Sequence, residues 1–447
     1  MDNKLDITLK VLKFFVILLI IFVGVKKQLE GLSLSETFFF YIFPILAIYF
    51  FLSFLIYIKS REKKIMGLIT FFSILFSLLT FEAFITYKIL DKKTNQKIAA
   101  KTNNIKYESK NIISYLSDLN KTVTAFPFFR ANIKFFDDKD LIPLGFFPNT
   151  ITVGSKESGA FYTYKTDRYG FNNPDDVWDI EGKSILLIGD SFTLGTLPNK
   201  RNFADIIRKR YTKLINLGIG GNGPLKNYAT LVEFIKISNP EYIFWLNYDG
   251  NDFEDLNEEI DSNILKKYIG DETFSQNLAF KSPEVEKLLK LYYYRNIEKF
   301  YKNKSKTTIS RILNKNRIID IVKLSNIRKL LGLTRSNSIE NINYEIFYKL
   351  IFKASELSKQ FESKFYFVNI PSAYSFSSKQ NRLNTSERFN KIQRKLTEEK
   401  IKYLNFNEKL NRENFEDFFM YGKNGGHLSE LGNKILGEQM IDKIINQ

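Results

Sequence analysis

The 447-residue chain contains a single histidine, His427, which lies close to its C-terminal end. Far upstream, Ser191 follows a short apolar run and the dipeptide Gly-Asp, a pattern typical of a turn after a strand. A serine hydroxyl is a weak nucleophile until a base removes its proton, and histidine is the usual base. The sequence therefore predicts nucleophilic catalysis by Ser191, with His427 as the base because the chain offers no other histidine.

Four short motifs follow one another in a fixed order. They are Gly-Asp-Ser ending at Ser191, a glycine-rich run around Gly221, Gly-Asn-Asp around Asn251, and His-Leu-Ser beginning at His427. Together they resemble the SGNH (GDSL-type) hydrolase superfamily, from residue 184 to the C terminus apart from one insertion. The resemblance implies ester hydrolysis without a metal or cofactor. It also implies an oxyanion hole built from the backbone N–H of Ser191, Gly221 and the Asn251 amide, which would stabilise the tetrahedral intermediate.

The chain departs from the family pattern at the third member of the catalytic triad. In the family an aspartate usually stands three residues before the histidine, and here that position holds Asn424. An aspartate orients the imidazole and stabilises its cation, whereas asparagine can only accept a hydrogen bond. Three active arrangements stay open: a Ser-His-Asn triad, a triad completed by another acid such as Asp417, and a Ser-His dyad. An inactive copy of the fold is a fourth alternative.

The pattern of short apolar runs separated by helical segments predicts a parallel sheet covered on both faces. The predicted strands are residues 184–188, 213–217, 242–246, 364–370 and 401–404. This is an α/β fold, and the resemblance makes it a three-layer α/β/α sandwich of the flavodoxin-like SGNH type. In such sheets active sites form at the carboxyl ends of the strands, where the Ser191 and Asn251 turns are expected.

The N-terminal region is apolar enough to predict two or three transmembrane helices within residues 1–88. Residues 37–58 and 65–87 are the stronger candidates for spanning a hydrocarbon core of about 30 Å, and residues 7–25 are a weaker one. A signal peptide is the alternative for the first segment. Lysine and arginine are concentrated in residues 59–64, which favours a cytoplasmic location for that link and an extracytoplasmic catalytic domain.

The remaining chain divides by composition into three regions. Residues 89–124 are polar and helix-like and predict a stalk, and residues 125–180 predict small strands and turns. Residues 181–447 form the hydrolase-like domain. Within it, residues 253–341 are too long for a loop and predict a helical insertion that serves as a lid, a partner surface or a membrane-proximal face.

Charge and composition exclude several classes of function. The net charge of +17 is spread along the chain without a basic stripe, which argues against nucleic-acid binding. The absence of cysteine excludes disulfides and thiolate metal sites. Four acidic residues cluster near Asn251, and helix-start acids on a solvated loop explain them better than a metal site does: Asp249, Asp252, Glu254 and Asp255.

These observations predict a membrane-anchored esterase or O-acyltransferase that acts on acyl esters, above all acetyl esters, of cell-envelope glycans. The reaction would proceed through an acyl-Ser191 intermediate, and the partners would be the acylated glycan and the lipid bilayer. A lipid esterase is an alternative enzyme. The competing class is a non-catalytic protein that binds glycan or serves as a scaffold within envelope polysaccharide machinery.

Overall fold

The structure is a computed structural model that describes residues 2–29, 34–90, 92–198, 201–298, 315–331, 343–376, 379–406, 410, 415–422 and 425–446. The chain folds into two compact units. The first comprises Met1–Asp91 together with Lys306–Ser336, and the second comprises Lys92–Ser305 together with Asn337–Gln447. The predicted insertion is therefore divided, because its middle part belongs to the first unit.

The first unit is helical. Among the described residues, two helices are long and apolar enough to cross a membrane, Lys4–Leu29 and Arg61–Lys88. That assignment depends on length and composition alone, and a signal sequence would also fit the first of them. The helices of this unit are Asp2–Leu29, Leu34–Thr37, Phe43–Tyr57, Arg61–Leu90, Lys315–Val322 and Ser325–Leu330, with a π-helical turn at Phe38–Ile42.

Residues 37–58, one of the two segments expected to be the stronger spans, are the least regular of the three. Their apolar helical part, Ile45–Tyr57, is shorter than the other two helices. Pro44 has no backbone N–H to give to a helical hydrogen bond, and the π-helical turn Phe38–Ile42 directly precedes the helix that contains it. Whether this segment crosses a membrane stays a prediction.

The second unit contains two sheets. Strands β1 (Ala125–Pro127), β2 (Ile151–Val153) and β3 (Thr163–Lys165) form a small one. The main sheet contains β4 (Ser184–Ile188), β5 (Leu214–Asn216), β6 (Pro240–Tyr248), β7 (Lys364–Ile370) and β8 (Lys402–Asn405), in the order β5-β4-β6-β7-β8. Every pair in it is parallel. This is the flavodoxin-like order, so the predicted fold class is confirmed.

Helices cover both faces of the main sheet because its strands are apolar on both sides. In β4, Leu186 and Ile188 belong to one core while Ile185 and Leu187 belong to the other. The first core is closed by the helices Pro224–Ser238, Tyr344–Gln360 and Lys379–Glu398, and the second by Phe203–Arg208 and Glu430–Ile445.

The other α-helices of the second unit are Lys92–Thr102, Ile112–Leu119, Ile133–Asp137, Ser191–Leu194, Asp252–Glu259, Asn263–Gly270 and Ser282–Tyr292. Short 3₁₀ turns lie at Asp175–Asp179, Leu278–Phe280, Ala373–Phe376 and Phe415–Phe418, and a π turn lies at Tyr293–Ile297. Three of these helices, Asp252–Glu259, Asn263–Gly270 and Ser282–Tyr292, make up the first part of the predicted insertion.

The segment expected to be a stalk begins with a helix that packs within the second unit. In the Lys92–Thr102 helix, Ala99 and Ala100 are buried. A Cβ placed on Gly159, in the loop between β2 and β3, would lie 2.5 Å from the Cβ of Ala100. The helix therefore supports the loop between those two strands.

Candidate active site

Ser191 is the first residue of the short Ser191–Leu194 helix, directly after β4 and a Gly-Asp turn. The Asp190 carboxylate accepts a hydrogen bond from the backbone N–H of Phe192 at 2.8 Å, which fixes the start of this helix. A Cβ on Gly189 would lie 2.7 Å from a backbone carbonyl oxygen of β6, so this turn requires glycine. The serine hydroxyl is thereby held at the carboxyl end of the sheet.

His427 reaches the same place from the other end of the sequence. Its Nε2 lies 2.8 Å from Ser191 Oγ, the distance of a hydrogen bond. The backbone N–H of Met420 donates to the His427 carbonyl oxygen at 2.9 Å, and the imidazole packs against the ring of Phe192 with centroids 4.8 Å apart. The structure thus brings together the serine and the histidine that the sequence pairs.

Glu157 is the carboxylate that contacts the other side of the imidazole. One of its oxygens contacts His427 Nδ1, and the other accepts a hydrogen bond from the His427 backbone N–H at 2.9 Å. Glu157 lies in the loop between β2 and β3, within the region where only small strands and turns were expected. This carboxylate can both orient the ring and stabilise its cation.

The approach of Glu157 depends on a glycine beside the histidine. Gly426 has a φ of 85°, and a Cβ there would lie 2.4 Å from a Glu157 carboxylate oxygen. Gly425 has a similar φ of 84°, but the nearest atom to its added Cβ, in Ala373, is 3.5 Å away. The positive φ therefore favours glycine at both positions before His427. At Gly426 a side chain would also have no space.

The electrostatics suit a general base. Burial alone would lower the pKa of His427, but the charge and hydrogen bond of Glu157, with a contribution from Asp190, raise it above its ordinary value. A carboxylate on Nδ1 holds the proton of the neutral ring there, which leaves Nε2 free to accept the hydroxyl proton of Ser191. This is the tautomer that general-base catalysis requires.

Of the two residues that the sequence offers for the third triad position, only Asp417 lies among the described residues. Asn424 lies outside the described residues. Asp417 is exposed, and its backbone carbonyl accepts a hydrogen bond from the Ser429 hydroxyl. Sequence reasoning missed Glu157, which stands 270 positions before His427 in a short turn without a recognisable motif. No local signal in the sequence distinguishes this glutamate from the other acidic residues.

The glycine-rich run after β5 lies beside the nucleophile. A Cβ on Gly220 would lie 3.6 Å from the Cβ of Ser191 and 3.0 Å from the Phe128 ring. Gly221 has a φ of 82°, and the Arg130 side chain lies 3.0 Å from the place of its missing Cβ. The backbone of this run thus lies close to Ser191, and the role of Gly221 as an oxyanion donor stays a prediction.

Asn251 is the residue before the Asp252–Glu259 helix. Its side-chain amide donates a hydrogen bond to the carboxylate of Asp255. Asp255 also forms a 2.8 Å ion pair with Arg130, the residue packed against Gly221. The two predicted oxyanion donors are therefore linked through Arg130 and Asp255, while the donor role of Asn251 stays a prediction.

The acidic residues near Asn251 have different surroundings. Asp249 forms a buried ion pair with Arg388. Asp252 is fully buried and accepts a hydrogen bond from a backbone N–H of β6, and Glu254 is exposed. Burial, followed by the charge of Asp190, raises the pKa of Asp252. Among the residues that the structure describes, no group of three or more acidic or histidine side chains could hold a metal ion.

Comparisons with known proteins give similarity to solved structures only. No family model matches the chain. No curated protein matches it either. One similar structure is described as a lipolytic protein of the G-D-S-L family from Desulfitobacterium hafniense DCB-2, with 12% identity, a TM-score of 0.30, and coverage of 57% of this chain and 97% of that one. Another is the acetyl xylan esterase AlAXEase, with 12% identity, a TM-score of 0.32, and coverage of 59% and 100%.

Proposed function

We propose that this chain is a serine esterase of the SGNH type, with Ser191 as nucleophile, His427 as general base and Glu157 as the orienting acid. The observation that carries the proposal is the continuous line of contacts from Ser191 Oγ to His427 Nε2 and from Nδ1 to Glu157. A nucleophile, its base and an acid that orients the base are the arrangement that acyl transfer to serine requires.

In the first half-reaction, Ser191 Oγ attacks the ester carbonyl carbon while its proton passes to His427 Nε2. The negative charge on the former carbonyl oxygen is stabilised by the backbone N–H of Ser191 and by Gly221 and Asn251. The imidazolium, stabilised by Glu157, then gives its proton to the leaving alkoxide as the carbon–oxygen bond breaks. An alcohol leaves, and an acyl-Ser191 ester remains.

In the second half-reaction, His427 removes a proton from an acceptor hydroxyl as this hydroxyl attacks the acyl carbon. The bond between the acyl carbon and Ser191 Oγ then breaks, and the imidazolium returns its proton to Ser191 Oγ. Water as acceptor gives hydrolysis, and a sugar hydroxyl gives O-acyl transfer. The proposed substrates are acyl esters, above all acetyl esters, of cell-envelope glycans, supported by the family resemblance together with the apolar N-terminal helices. The two reactions share the same residues, so the preferred acceptor must be measured.

The proposed location is the cell membrane, with the catalytic unit on the extracytoplasmic side. Two helices of sufficient length and apolarity support anchoring, and the basic residues of the link before the second of them support the orientation. An enzyme with this topology would meet envelope polysaccharide or its assembly machinery directly.

The test is covalent labelling of Ser191 with a fluorophosphonate, followed by turnover of an activated acetyl ester. Ser191→Ala should abolish labelling, and Ser191→Ala and His427→Ala should each lower turnover by about three to six orders of magnitude without unfolding the protein. Ser155→Ala, at an exposed serine near Glu157, is the control and should retain the full rate. Absence of labelling in the folded wild-type protein would favour the non-catalytic glycan-binding or scaffold alternative.

A further inference from the structure

Part of the predicted insertion folds with the N-terminal helices. Its described residues form two short helices, Lys315–Val322 and Ser325–Leu330, which belong to the same compact unit as Met1–Asp91. Leu324, between them, has a φ of 51°, which is unusual for a branched residue and makes a sharp turn. We call residues 315–331 the docking hairpin.

Glu82 connects the docking hairpin to the second long apolar helix. This carboxylate is fully buried, and it accepts hydrogen bonds from the Asn326 backbone N–H at 2.7 Å, the Asn326 side-chain amide at 2.8 Å and the Ile327 backbone N–H at 2.8 Å. The same amide also donates to Thr86 at 3.0 Å. An acidic residue in an apolar helix is costly unless its oxygens have partners, and the hairpin supplies them.

The docking hairpin also carries an exposed apolar surface. Val322, Leu330 and Leu331 have 67%, 72% and 67% of their surface exposed, and Ile318 and Ile319 are exposed as well. Basic residues accompany them at Arg317, Lys323 and Arg328. Apolar residues mixed with basic ones on a short helical element are typical of segments that lie in the bilayer interface.

The long helix on which the hairpin docks has the same kind of surface. Phe81 and Phe84, on either side of Glu82 in sequence, are 53% and 54% exposed, and Phe72 is 58% exposed. The Arg328 guanidinium also lies over the ring of Tyr41, 5.2 Å from its centroid, within the same unit. The apolar surface of the hairpin thus belongs to a unit whose helices carry apolar side chains outward, where lipid is the solvent that would cover them.

We propose that the docking hairpin is a second membrane-binding element, embedded in the bilayer interface and held against the Arg61–Leu90 helix by Glu82. This inference rests on the proposed membrane anchoring but not on the proposed chemistry at Ser191. Its partner is a lipid bilayer, whose acyl chains cover Val322 and Leu330 and whose anionic headgroups meet the basic residues. The chain then returns to the membrane at a segment that interrupts the sequence of the second unit.

The absence of native cysteine allows a direct test in the full-length chain. Nitroxide labels would be placed at Val322→Cys and Leu330→Cys in liposomes containing anionic lipid, and their collision rates with oxygen and with a water-soluble nickel complex measured. Labels at Phe72→Cys and Ile180→Cys give the lipid and water references, since both side chains are exposed and lie in different units. We expect the two hairpin labels to show the high oxygen and low nickel accessibility of the Phe72 label.

Docking is tested by the distance distribution between labels at Val322→Cys and Phe72→Cys. It should be narrow in the parent protein and broad in Glu82→Leu, whereas Glu62→Leu, at an exposed position of the same helix, should leave it narrow. Asn326→Ala removes only the amide partner of Glu82 and should broaden it too, which covers the case that Glu82→Leu misfolds.

The outcomes separate the proposals. Water-like accessibility at Val322 and Leu330 beside a lipid-like Phe72 would overturn the hairpin proposal and leave the anchor intact. A water-like Phe72 label would overturn both. Narrow distance distributions in both Glu82→Leu and Asn326→Ala would show that Glu82 does not hold the docking hairpin against the long helix. Fluorophosphonate labelling of Ser191 in the same liposomes reports independently on the proposed enzyme activity.

Discussion

In the proposed mechanism Glu157 acts through His427, so its replacement should change the pH dependence as well as the rate. A base works only when neutral, and the rate should fall as the pH drops through the pKa of His427, which Glu157 raises. Glu157→Gln removes that charge. We expect a rate lower by about two to four orders of magnitude, with an acid limb shifted to lower pH. The pH profile of kcat/KM on one activated ester measures both effects.

The controls for this substitution are the other candidates for the third triad position. Asp417→Asn should leave the profile unchanged because the Asp417 side chain is exposed. Asn424→Leu should change it little if Glu157 already orients the imidazole. If Glu157→Gln kept the pH profile of the parent enzyme and Asn424→Leu lowered the rate, Asn424 would be the residue that orients the imidazole.

The neighbouring glycines Gly425 and Gly426 allow two matched substitutions. Gly426→Ala and Gly425→Ala place a side chain on backbones with nearly the same φ, 85° and 84°, so they share the conformational strain. Only the Cβ at 426 meets the carboxylate of Glu157. We therefore expect Gly425→Ala to lose about 1–3 kcal/mol of unfolding free energy. Gly426→Ala should lose at least as much, and its loss of kcat should be much larger. Thermal unfolding and esterase rates compare the two variants, and equal rates would argue against the contact.

The Lys92–Thr102 helix contacts two elements of the candidate active site. It packs against the loop that carries Glu157, through Ala100 and Gly159. At its end, the Asn103 side chain accepts a hydrogen bond from the Glu430 backbone N–H at 3.2 Å, at the start of the helix that follows His427. This segment thus takes part in holding both Glu157 and His427.

Asn103→Ala tests this contribution. Asn103 is buried and its amide also donates to a backbone carbonyl, so its loss leaves unpaired polar groups and should cost about 1–3 kcal/mol of unfolding free energy. We expect a lower kcat as well, because the start of the Glu430–Ile445 helix loses a fixed partner. Lys101→Ala, on the exposed side of the same helix, is the control and should change neither quantity. An unchanged melting temperature in Asn103→Ala would exclude the role.

At the scale of the whole molecule, the proposed topology can be tested with fusions. A reporter that is active only outside the cytoplasm should be active after Gln447 and silent near Arg61, because the basic link is expected to stay in the cytoplasm. A reporter at residue 300, within the insertion, should behave like the one after Gln447. The opposite pattern would place the catalytic unit in the cytoplasm and would show that either the first helix or the segment 37–58 does not span.

The sequence by itself determined the sheet and two of the residues at its edge. The strand at residues 184–188 and the strand at residues 364–370 were predicted with the bounds that the structure has, because buried parallel strands are short apolar runs with clear ends. The pairing of Ser191 with His427 also followed from the sequence, since the chain has one histidine and both residues follow glycine turns.

Only the tertiary structure decided which carboxylate contacts His427 and with which compact unit each part of the insertion folds. Glu157 and His427 are joined by packing between two distant loops, and a carboxylate in a polar turn carries no periodic signal that would reveal its partner. Glu82 and Asn326 are separated by 244 positions and meet for the same reason. Strands and helices leave a periodic pattern in the sequence because one of their faces is buried. The Glu157–His427 and Glu82–Asn326 contacts leave no such pattern, because they depend on where distant segments lie in the folded chain.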